Sequence, residues 1–250
     1  SDMAGTVTYL VPDLAYQMEK LERAQHTITM LGPDHQGQIP SLKAGLSILV
    51  PNWATDFRAF FLVIQQVNLV KDGQAVKMGK RKGMFVTLDE LLDEVGVDAA
   101  RWFFSARAME TPLDFNLDLA RLKTDENPVY YVQYGHARLC GILREAEKRI
   151  GTGISKNEIL ARFLEAPSEA LGSPEEKAVF RKILEFPEIV EDASQPVVFP
   201  THLLPAYLVD LARTFHSFYA AHRVLGSGAD EAPRLALVQA VKIILESGLG

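Results

Sequence analysis

The interpretation of this chain begins with the stretch Lys77-Met78-Gly79-Lys80-Arg81, which is preceded by Val76 and followed by Lys82-Gly83. Four of the seven residues 77–83 are cationic, in a chain of 250 residues whose formal net charge is −6. Lysine ammonium groups can stabilise charge on a transferring phosphoryl group, and glycines at positions 79 and 83 permit close backbone approach. The stretch is therefore a candidate polyphosphate-binding loop, and the alternative is a solvated turn rich in lysine.

The sequence on either side favours the binding loop over the solvated turn. Asp72-Gly73 is a hairpin signal between the apolar run 59–70 and a short predicted strand at 75–78. Thr87-Leu88-Asp89-Glu90 has the pattern of a capping box that opens a helix. A strand, a basic glycine-containing loop and a capped helix thus follow one another directly.

The part of the chain before this loop alternates between strand and helix patterns. Thr6–Val11 predicts a strand leading into a helix opened by Pro12-Asp13, and residues 27–31 predict a second strand before the polar loop 32–37. Residues 59–64 are apolar on both alternating faces, which is typical of a strand covered on both sides. This order predicts part of a doubly wound parallel sheet, whose carboxyl edge is where ligands bind.

The second half of the chain predicts helices. Asp98 is expected to cap a helix that carries Trp102, and residues 113–117 alternate like an extended connector. Helix starts are expected at Asn127-Pro128 and at the capping boxes 155–158 and 173–176, and two more helices at 202–222 and 232–247. This succession predicts an α-helical bundle.

Composition sets limits on function. Cys140 is the only cysteine, so no disulfide can form within the chain, and a reducing cytoplasm is favoured. No apolar run is long enough to span a bilayer, so no membrane partner is expected. No HExxH or CxxC pattern occurs, so no metal site is predicted. Residues 116–250 contain 15 Lys and Arg against 18 Asp and Glu, so net charge gives no support for an RNA partner.

Several segments, in one order along the chain, carry a resemblance to a known family. They are the basic loop 77–81 and the segments 67–73, 85–88, 95–101, 113–115 and 127–134, the last of which reads Asn-Pro-Val-Tyr-Tyr-Val-Gln-Tyr. The loop resembles the lysine-methionine-serine-lysine signature of class I aminoacyl-tRNA synthetases. Together the segments resemble a bacterial-type arginyl-tRNA synthetase, specifically a C-terminal portion that lacks the first half of the catalytic domain.

The resemblance implies an α/β fold followed by an all-α one. Residues 1–72 would be the second half of the class I catalytic domain, with a partial Rossmann-like parallel sheet; residues 73–115 the signature-loop connector; and residues 116–250 the helical anticodon-binding domain. The implied activity of the complete protein is arginine–tRNA ligation, in which arginine is activated with ATP, accompanied by Mg²⁺, and is then transferred to the tRNA for arginine.

The resemblance also implies roles for individual residues. Lys77 and Lys80 would be catalytic by stabilising negative charge on the departing pyrophosphate, and the whole loop Lys77, Met78, Gly79, Lys80, Arg81 would bind ATP. Gly79 stands where the family usually has serine. Tyr9 and Asp13 would contact the substrate arginine, a role that suits a carboxylate facing a guanidinium fork. From local pattern alone, however, Tyr9 could be a core aromatic and Asp13 a helix-end acid.

The remaining implied site lies in the loop after the second strand. His35 and Gln38 would contact arginine or ATP there. Two rival interpretations remain open at this stage: another class I synthetase with the same loop, and a non-catalytic tRNA-binding or regulatory protein derived from a synthetase. If an upstream reading frame encoded the missing ATP signature, a catalytic synthetase would be favoured over the second rival, the non-catalytic protein.

Overall fold

The computed structural model describes residues 9–50, 59–76, 86–150, 171–195 and 199–250. The chain divides into two compact units. The first comprises Ser1–Asn68, Ala108–Asp114 and Pro196–Phe199, and the second comprises Leu69–Arg107, Phe115–Gln195 and Pro200–Gly250. The sequence predicts three parts with boundaries at 72 and 115. A division into two units does not test this prediction, so it stays a prediction.

The first unit is a small α/β arrangement. Helix α1 (Leu10–Arg23) precedes strand β1 (Thr27–Leu31), and a 3₁₀ helix (Pro33–Gln38) leads into α2 (Ile39–Leu49) before β2 (Ala59–Val63). Strands β1 and β2 pair in parallel, as the alternating pattern predicts. The partial parallel sheet expected from the sequence is therefore confirmed.

The core of the first unit lies between one face of this sheet and the helices α1 and α2. Leu21, Leu46 and Ala59 are buried there, with Leu14 and Phe61 packed against them. Gly45 allows the two helices to approach closely, since a Cβ atom at this position would lie 2.6 Å from the Leu14 side chain.

The predicted start of α1 is wrong by two residues. The sequence predicts a strand through Val11 and a helix opened by Pro12, but the structure has Leu10 and Val11 in α1, with Tyr9 as its N-cap residue. The apolar residues at 10 and 11 fit either pattern, because a short apolar run does not distinguish strand from helix. Residues 6–8 of the predicted strand lie outside the described residues.

The second unit begins within a hairpin. Strands β3 (Val67–Lys71) and β4 (Gln74–Ala75) are antiparallel, and the turn between them has Asp72 at φ 52° and Gly73 at φ 70°. Two consecutive positive φ values are typical of the type I′ turn that an Asp-Gly pair favours. The hairpin prediction is confirmed.

Helix α3 (Leu88–Val95) opens with the predicted capping box, in which the Glu90 N–H donates to Thr87 Oγ1 at 3.2 Å. Helix α4 (Val97–Ser105) follows, then β5 (Leu113–Asn116) and α5 (Leu117–Arg121). The prediction that Asp98 caps α4 is wrong, because Gly96 at φ 82° is the N-cap residue. Asp98 lies in the first turn, where its carboxylate accepts a hydrogen bond from Gln133 at 2.9 Å.

The rest of the second unit is the predicted bundle. Within the described residues its helices are α6 (Pro128–Ile150), α7 (Pro174–Ala193), α8 (Leu203–Ala221) and α9 (Glu231–Leu249). Apolar side chains at helical spacing form its core, and the largest that are completely buried include Phe215, Phe218, Leu139 and Leu245. Ser173 opens α7 with the predicted capping box, whereas the box predicted at 155–158 lies outside the described residues.

Candidate functional site

The signature loop is flanked by described structure on both sides, although residues 77–81, and with them Lys77, Met78, Gly79, Lys80 and Arg81, lie outside the described residues. On the N-terminal side the hairpin continues to Val76, whose N–H donates to the Leu69 carbonyl at 2.8 Å. On the C-terminal side stands the capped helix α3. The roles predicted for the loop residues stay predictions.

Charged contacts connect the hairpin before the loop with the helix after it. Lys71 Nζ lies 2.8 Å from Glu94 Oε1, and Arg121 Nη1 lies 3.2 Å from the same oxygen. The N–H of Asp72 donates to Asp118 Oδ2 at 2.6 Å. Glu94 thus connects the two elements that bracket the signature loop.

These bracketing contacts were not predicted from the sequence. Glu94 is separated from Lys71 by 23 residues and from Arg121 by 27. No local motif relates positions so far apart, so only the tertiary arrangement could identify them. The ammonium–carboxylate contact also raises the pKa of Lys71, first through its hydrogen bond with Glu94.

Tyr9 and Asp13 lie one turn apart at the start of α1. The Asp13 N–H donates to the Tyr9 carbonyl at 3.1 Å, and the Tyr9 side chain is 89% exposed. Tyr9 is therefore not part of the core that the described residues form. Asp13 lies in the first turn of the helix, where the dipole favours a carboxylate.

His35 and Gln38 lie together in the 3₁₀ helix Pro33–Gln38, and both are exposed. This helix follows β1 directly, as a ligand-binding loop at a strand's carboxyl end does. Among the described residues, no hydrogen bond joins the pair Tyr9 and Asp13 to the pair His35 and Gln38. Three of the four residues predicted to contact arginine or ATP are exposed, and Asp13 is partly buried.

The bundle carries a cluster of aromatic and basic side chains that we call the aromatic face: Tyr130, Tyr134 and Arg138 of α6, with His216 and Tyr219 of α8. The three α6 residues are spaced four apart and so lie on one side of the helix. The Tyr130 and Tyr134 rings stack with centroids 6.2 Å apart and planes at 12°. The Arg138 guanidinium lies 4.5 Å from the centre of the Tyr219 ring.

A partly buried hydrogen bond lies at the base of the aromatic face. His216 Nδ1 lies 3.0 Å from the Tyr131 hydroxyl oxygen, and the Tyr134 and His216 ring centres are 6.4 Å apart. Burial, followed by the nearby Arg138 charge, lowers the pKa of His216, so the imidazole is neutral at pH 7. Tyr134 above it is 44% exposed.

The structure divides the aromatic residues of the bundle more sharply than the sequence could. Phe215 and Phe218 are completely buried and belong to the core, as helical spacing predicts. Tyr134 presents its ring to solvent on a support of packed aromatic groups. Exposed rings held on a rigid helix are suitable for stacking on nucleic-acid bases.

The described residues contain no group of three or more His, Cys, Asp or Glu side chains that could hold a metal ion. Within the same ranges, no helix is both long enough and apolar enough to cross a membrane. Cys140 is partly buried, with its Sγ atom 3.8 Å from His136 Nε2.

Comparison with known families defines the class of the helical part. Residues 132–250 match the family model of the DALR anticodon binding domain. This range includes most of α6 and all of α7, α8 and α9, so the aromatic face lies almost entirely within it. The helical bundle is therefore similar to the domains that this family model describes.

Curated relatives extend the match to the whole chain. The arginine–tRNA ligase of Geobacillus kaustophilus is 44% identical over 250 residues, which cover 98% of this chain and 42% of that protein. The arginine–tRNA ligase of Desulforudis audaxviator is 42% identical over 249 residues, with the same coverage. The chain thus spans about two-fifths of the length of these relatives.

Solved structures agree with the sequence matches. A Campylobacter jejuni structure assigned as an arginyl-tRNA synthetase superposes with a TM-score of 0.78 at 27% identity, covering 99% of this chain and 51% of that one. The fold is also that of the Thermus thermophilus arginyl-tRNA synthetase, with a TM-score of 0.74 at 24% identity and coverage of 98% and 48%. The family resemblance is confirmed: this chain corresponds to the C-terminal portion of arginyl-tRNA synthetases.

Proposed function

We propose that this chain serves arginine–tRNA ligation and that its bundle binds the tRNA for arginine through the aromatic face. The observation that carries the proposal is that a bundle matching an anticodon-binding domain presents stacked, partly exposed tyrosines beside an arginine. Aromatic rings supply sequence-tolerant stacking, while arginine supplies attraction to phosphate. A local face of this kind can bind RNA even though the chain is acidic overall.

In the complete protein, the reaction would have two steps. The arginine carboxylate attacks the α-phosphate of ATP, forming arginyl-adenylate and releasing pyrophosphate. A hydroxyl of the terminal tRNA ribose then takes the arginyl group and AMP leaves. Lys77 and Lys80 would stabilise the charge on pyrophosphate as it departs, with Arg81 in support. Mg²⁺ would enter with ATP, and no described residue is assigned to it.

Substrate selection would fall to the pair Tyr9 and Asp13 and the pair His35 and Gln38 of the first unit. Asp13, at the accessible start of α1, would accept hydrogen bonds from the arginine guanidinium, with Tyr9 one turn away. His35 and Gln38 would contact arginine or ATP from the 3₁₀ helix. The bracketing contacts of Glu94 would hold the hairpin and α3 at a fixed separation across the signature loop.

The aromatic face leads to a quantitative expectation for tRNA binding. Tyr134→Ala should weaken binding of the tRNA for arginine by about 1–3 kcal/mol, or roughly five- to 150-fold, because one stacking platform is lost. Arg138→Ala should reduce the slope of log affinity against log salt by about one, as expected for one lost phosphate contact. Fluorescence titration of the purified chain at several salt concentrations measures both effects.

The matched control for these variants is Phe180→Ala, which removes a ring that is 38% exposed on α7, a helix that contributes no residue to the aromatic face. This variant should bind the tRNA for arginine with an affinity within twofold of that of the wild type. An unrelated tRNA should bind more weakly than the tRNA for arginine. If the chain bound both tRNAs with equal affinity, or if Tyr134→Ala and Phe180→Ala lost equal affinity for the tRNA for arginine, the aromatic face would not be the recognition surface.

Asp13 can be tested in a full-length protein that carries this chain as its C-terminal portion. Asp13→Asn should raise the arginine KM by roughly ten- to a hundredfold, because a charged hydrogen-bond partner contributes about 1.5–3 kcal/mol. The KM for ATP should change little, and Glu22→Gln, an exposed acid near the C-terminal end of α1, is the control. An unchanged arginine KM would leave Asp13 with only its helix-end role.

A non-catalytic tRNA-binding or regulatory role remains the second candidate, because the chain spans only 42% of its relatives. The two candidates differ in one measurement. Restored arginine-dependent ATP–pyrophosphate exchange in the full-length protein supports ligation. Specific tRNA binding without any exchange supports the regulatory role.

A further inference from the structure

Two side-chain contacts join the start of α6, which carries the aromatic face, to the preceding part of the second unit. The first is made by the Asn127 carboxamide, in a residue that is only 4% exposed. Its Nδ2 group donates to the Ala120 carbonyl at 3.1 Å and to the Leu122 carbonyl at 2.8 Å, at the end of α5. Its Oδ1 atom accepts from the Val129 N–H at 3.1 Å. The Asn127 side chain therefore fixes the end of α5 to the first turn of α6.

The second contact is the hydrogen bond that Gln133 Nε2 donates to Asp98 Oδ2 at 2.9 Å. Gln133 precedes Tyr134 and follows Tyr130 by three residues, so it lies within the same turns of α6 as the two stacked rings. Asp98 lies in the first turn of α4, and only Gly96 separates α4 from α3. The Gln133–Asp98 contact therefore joins the helix of the aromatic face to the helices that follow the signature loop.

From α3 and α5 the side-chain contacts continue to the hairpin before the signature loop. Glu94 of α3 accepts hydrogen bonds from Arg121 of α5 and from Lys71 of the hairpin. Asp118 of α5 accepts one from the Asp72 N–H in the turn of the hairpin. All of these residues belong to the second unit. A continuous series of hydrogen bonds thus connects the aromatic face with both elements that bracket the signature loop.

The Gln133–Asp98 contact is suited to respond to a ligand on α6. Asp98 is exposed and Gln133 is partly buried, so their hydrogen bond competes with water and contributes little stability by itself. RNA that stacks on the tyrosines restricts the motion of these turns of α6, and Gln133 then loses less conformational entropy when it bonds to Asp98. Binding at the aromatic face therefore strengthens the contact, while the buried Asn127 side chain holds α6 against α5.

We propose that Gln133, acting through Asp98, is a positioning residue that couples RNA binding at the aromatic face to the hairpin and α3, the elements that bracket the signature loop. This inference rests on the proposed function, because it takes the RNA site from it. RNA bound on α6 restricts α4 and α3 through this contact, and α3 restricts the hairpin through Glu94. Less conformational entropy is then lost when a ligand orders the signature loop.

The experiment is hydrogen–deuterium exchange of the chain, read by mass spectrometry, with and without a saturating concentration of the tRNA for arginine. In the wild type, the tRNA should slow amide exchange in residues 69–75 of the hairpin and 88–95 of α3 by about fivefold or more, a typical coupling between two sites. Gln133→Met keeps the length of the side chain but removes the donor, so the slowing should fall below about twofold. Asp98→Asn keeps an oxygen that accepts from Gln133, and this conservative variant should respond to the tRNA as the wild type does.

The comparison of the free and the tRNA-bound chain separates coupling from a purely structural role. If Gln133 were only structural, Gln133→Met would speed amide exchange in the free chain, but the tRNA would still slow exchange as much as in the wild type. That result would overturn the coupling. So would a wild type in which bound tRNA leaves amide exchange in the hairpin and α3 unchanged.

An unrelated tRNA, tested in parallel, distinguishes this inference from the proposed function. If the chain preferred the tRNA for arginine but showed no slowing that depends on Gln133, the coupling would be wrong while the proposed function stood. If both tRNAs bound with equal affinity and both slowed exchange in the wild type but not in Gln133→Met, the coupling would be supported. Recognition of the tRNA for arginine by the aromatic face would then be contradicted.

Discussion

The purified chain is expected to show no arginine-dependent ATP–pyrophosphate exchange, even at concentrations where a full-length relative is readily measured. The signature-loop lysines and the candidate arginine contacts are present, but only two paired strands of a parallel sheet are described in the first unit. Class I catalysis, by the family resemblance, also needs the strand that ends in the ATP signature. Without it, charges are present but the reacting groups are not held in position.

The expected decrease in the rate of ATP–pyrophosphate exchange is large. Correct positioning of reactants can contribute roughly 7–11 kcal/mol to barrier reduction, so its loss corresponds to a rate decrease of about 10⁵-fold or more. The full-length Geobacillus kaustophilus relative, assayed at the same concentration of active sites, is the positive control. Exchange by the isolated chain within a hundredfold of that control would contradict the expectation, and would mean that these 250 residues hold ATP by themselves.

The second large effect concerns stability and a buried ion pair in the bundle. Glu176 is 2% exposed, and its Oε1 accepts a hydrogen bond from Arg234 Nε at 2.7 Å. Its other oxygen accepts from the Ser173 N–H at 3.0 Å, within the capping box of α7. The pair thus fixes the start of α7 against α9.

Arg234→Met should destabilise the second unit by about 3–5 kcal/mol, because it leaves the Glu176 carboxylate buried without its cationic partner. Thermal or urea unfolding followed by helical circular dichroism measures this change. Arg181→Met, an exposed arginine of α7, should change stability by less than about 0.5 kcal/mol. If Arg234→Met lowered the free energy of unfolding as little as the control does, the ion pair would contribute little to stability.

The same pair predicts a pH dependence with a defined sign. Burial raises the pKa of Glu176, but hydrogen bonds from the Ser173 backbone and from Arg234 outweigh it, so the net pKa lies below the ordinary value of 4.5. A lowered folded-state pKa stabilises the protein above the unfolded-state pKa, and this stabilisation is lost as pH falls through the folded-state value. The difference in the free energy of unfolding between the wild type and Arg234→Met should therefore decrease as pH falls below about 4.5. If the difference in the free energy of unfolding stayed constant down to pH 3, the stabilisation would not come from the charged Glu176 carboxylate.

Much of the fold could be predicted from local sequence signals because those signals act over a few residues. The Asp72-Gly73 turn, the capping boxes at Thr87 and Ser173 and the helix from Pro128 to Ile150 are all present. Each depends on a backbone preference or on a hydrogen bond within one turn of helix. The N-cap of α4 was missed because Asp98 and Gly96 both suit a helix start; in the structure Gly96 is the N-cap residue, and the Asp98 carboxylate accepts a hydrogen bond from Gln133 instead.

By itself, the sequence determined the family, the order of the elements and the candidate residues of the signature loop, because these are encoded in contiguous motifs. Only the tertiary structure decided that Glu94 links Lys71 to Arg121 and that Tyr134 presents an exposed ring while Phe215 is in the core. Each of these depends on which side chains from distant parts of the chain are brought together. Periodicity predicts that an apolar face exists, but only packing determines what covers it.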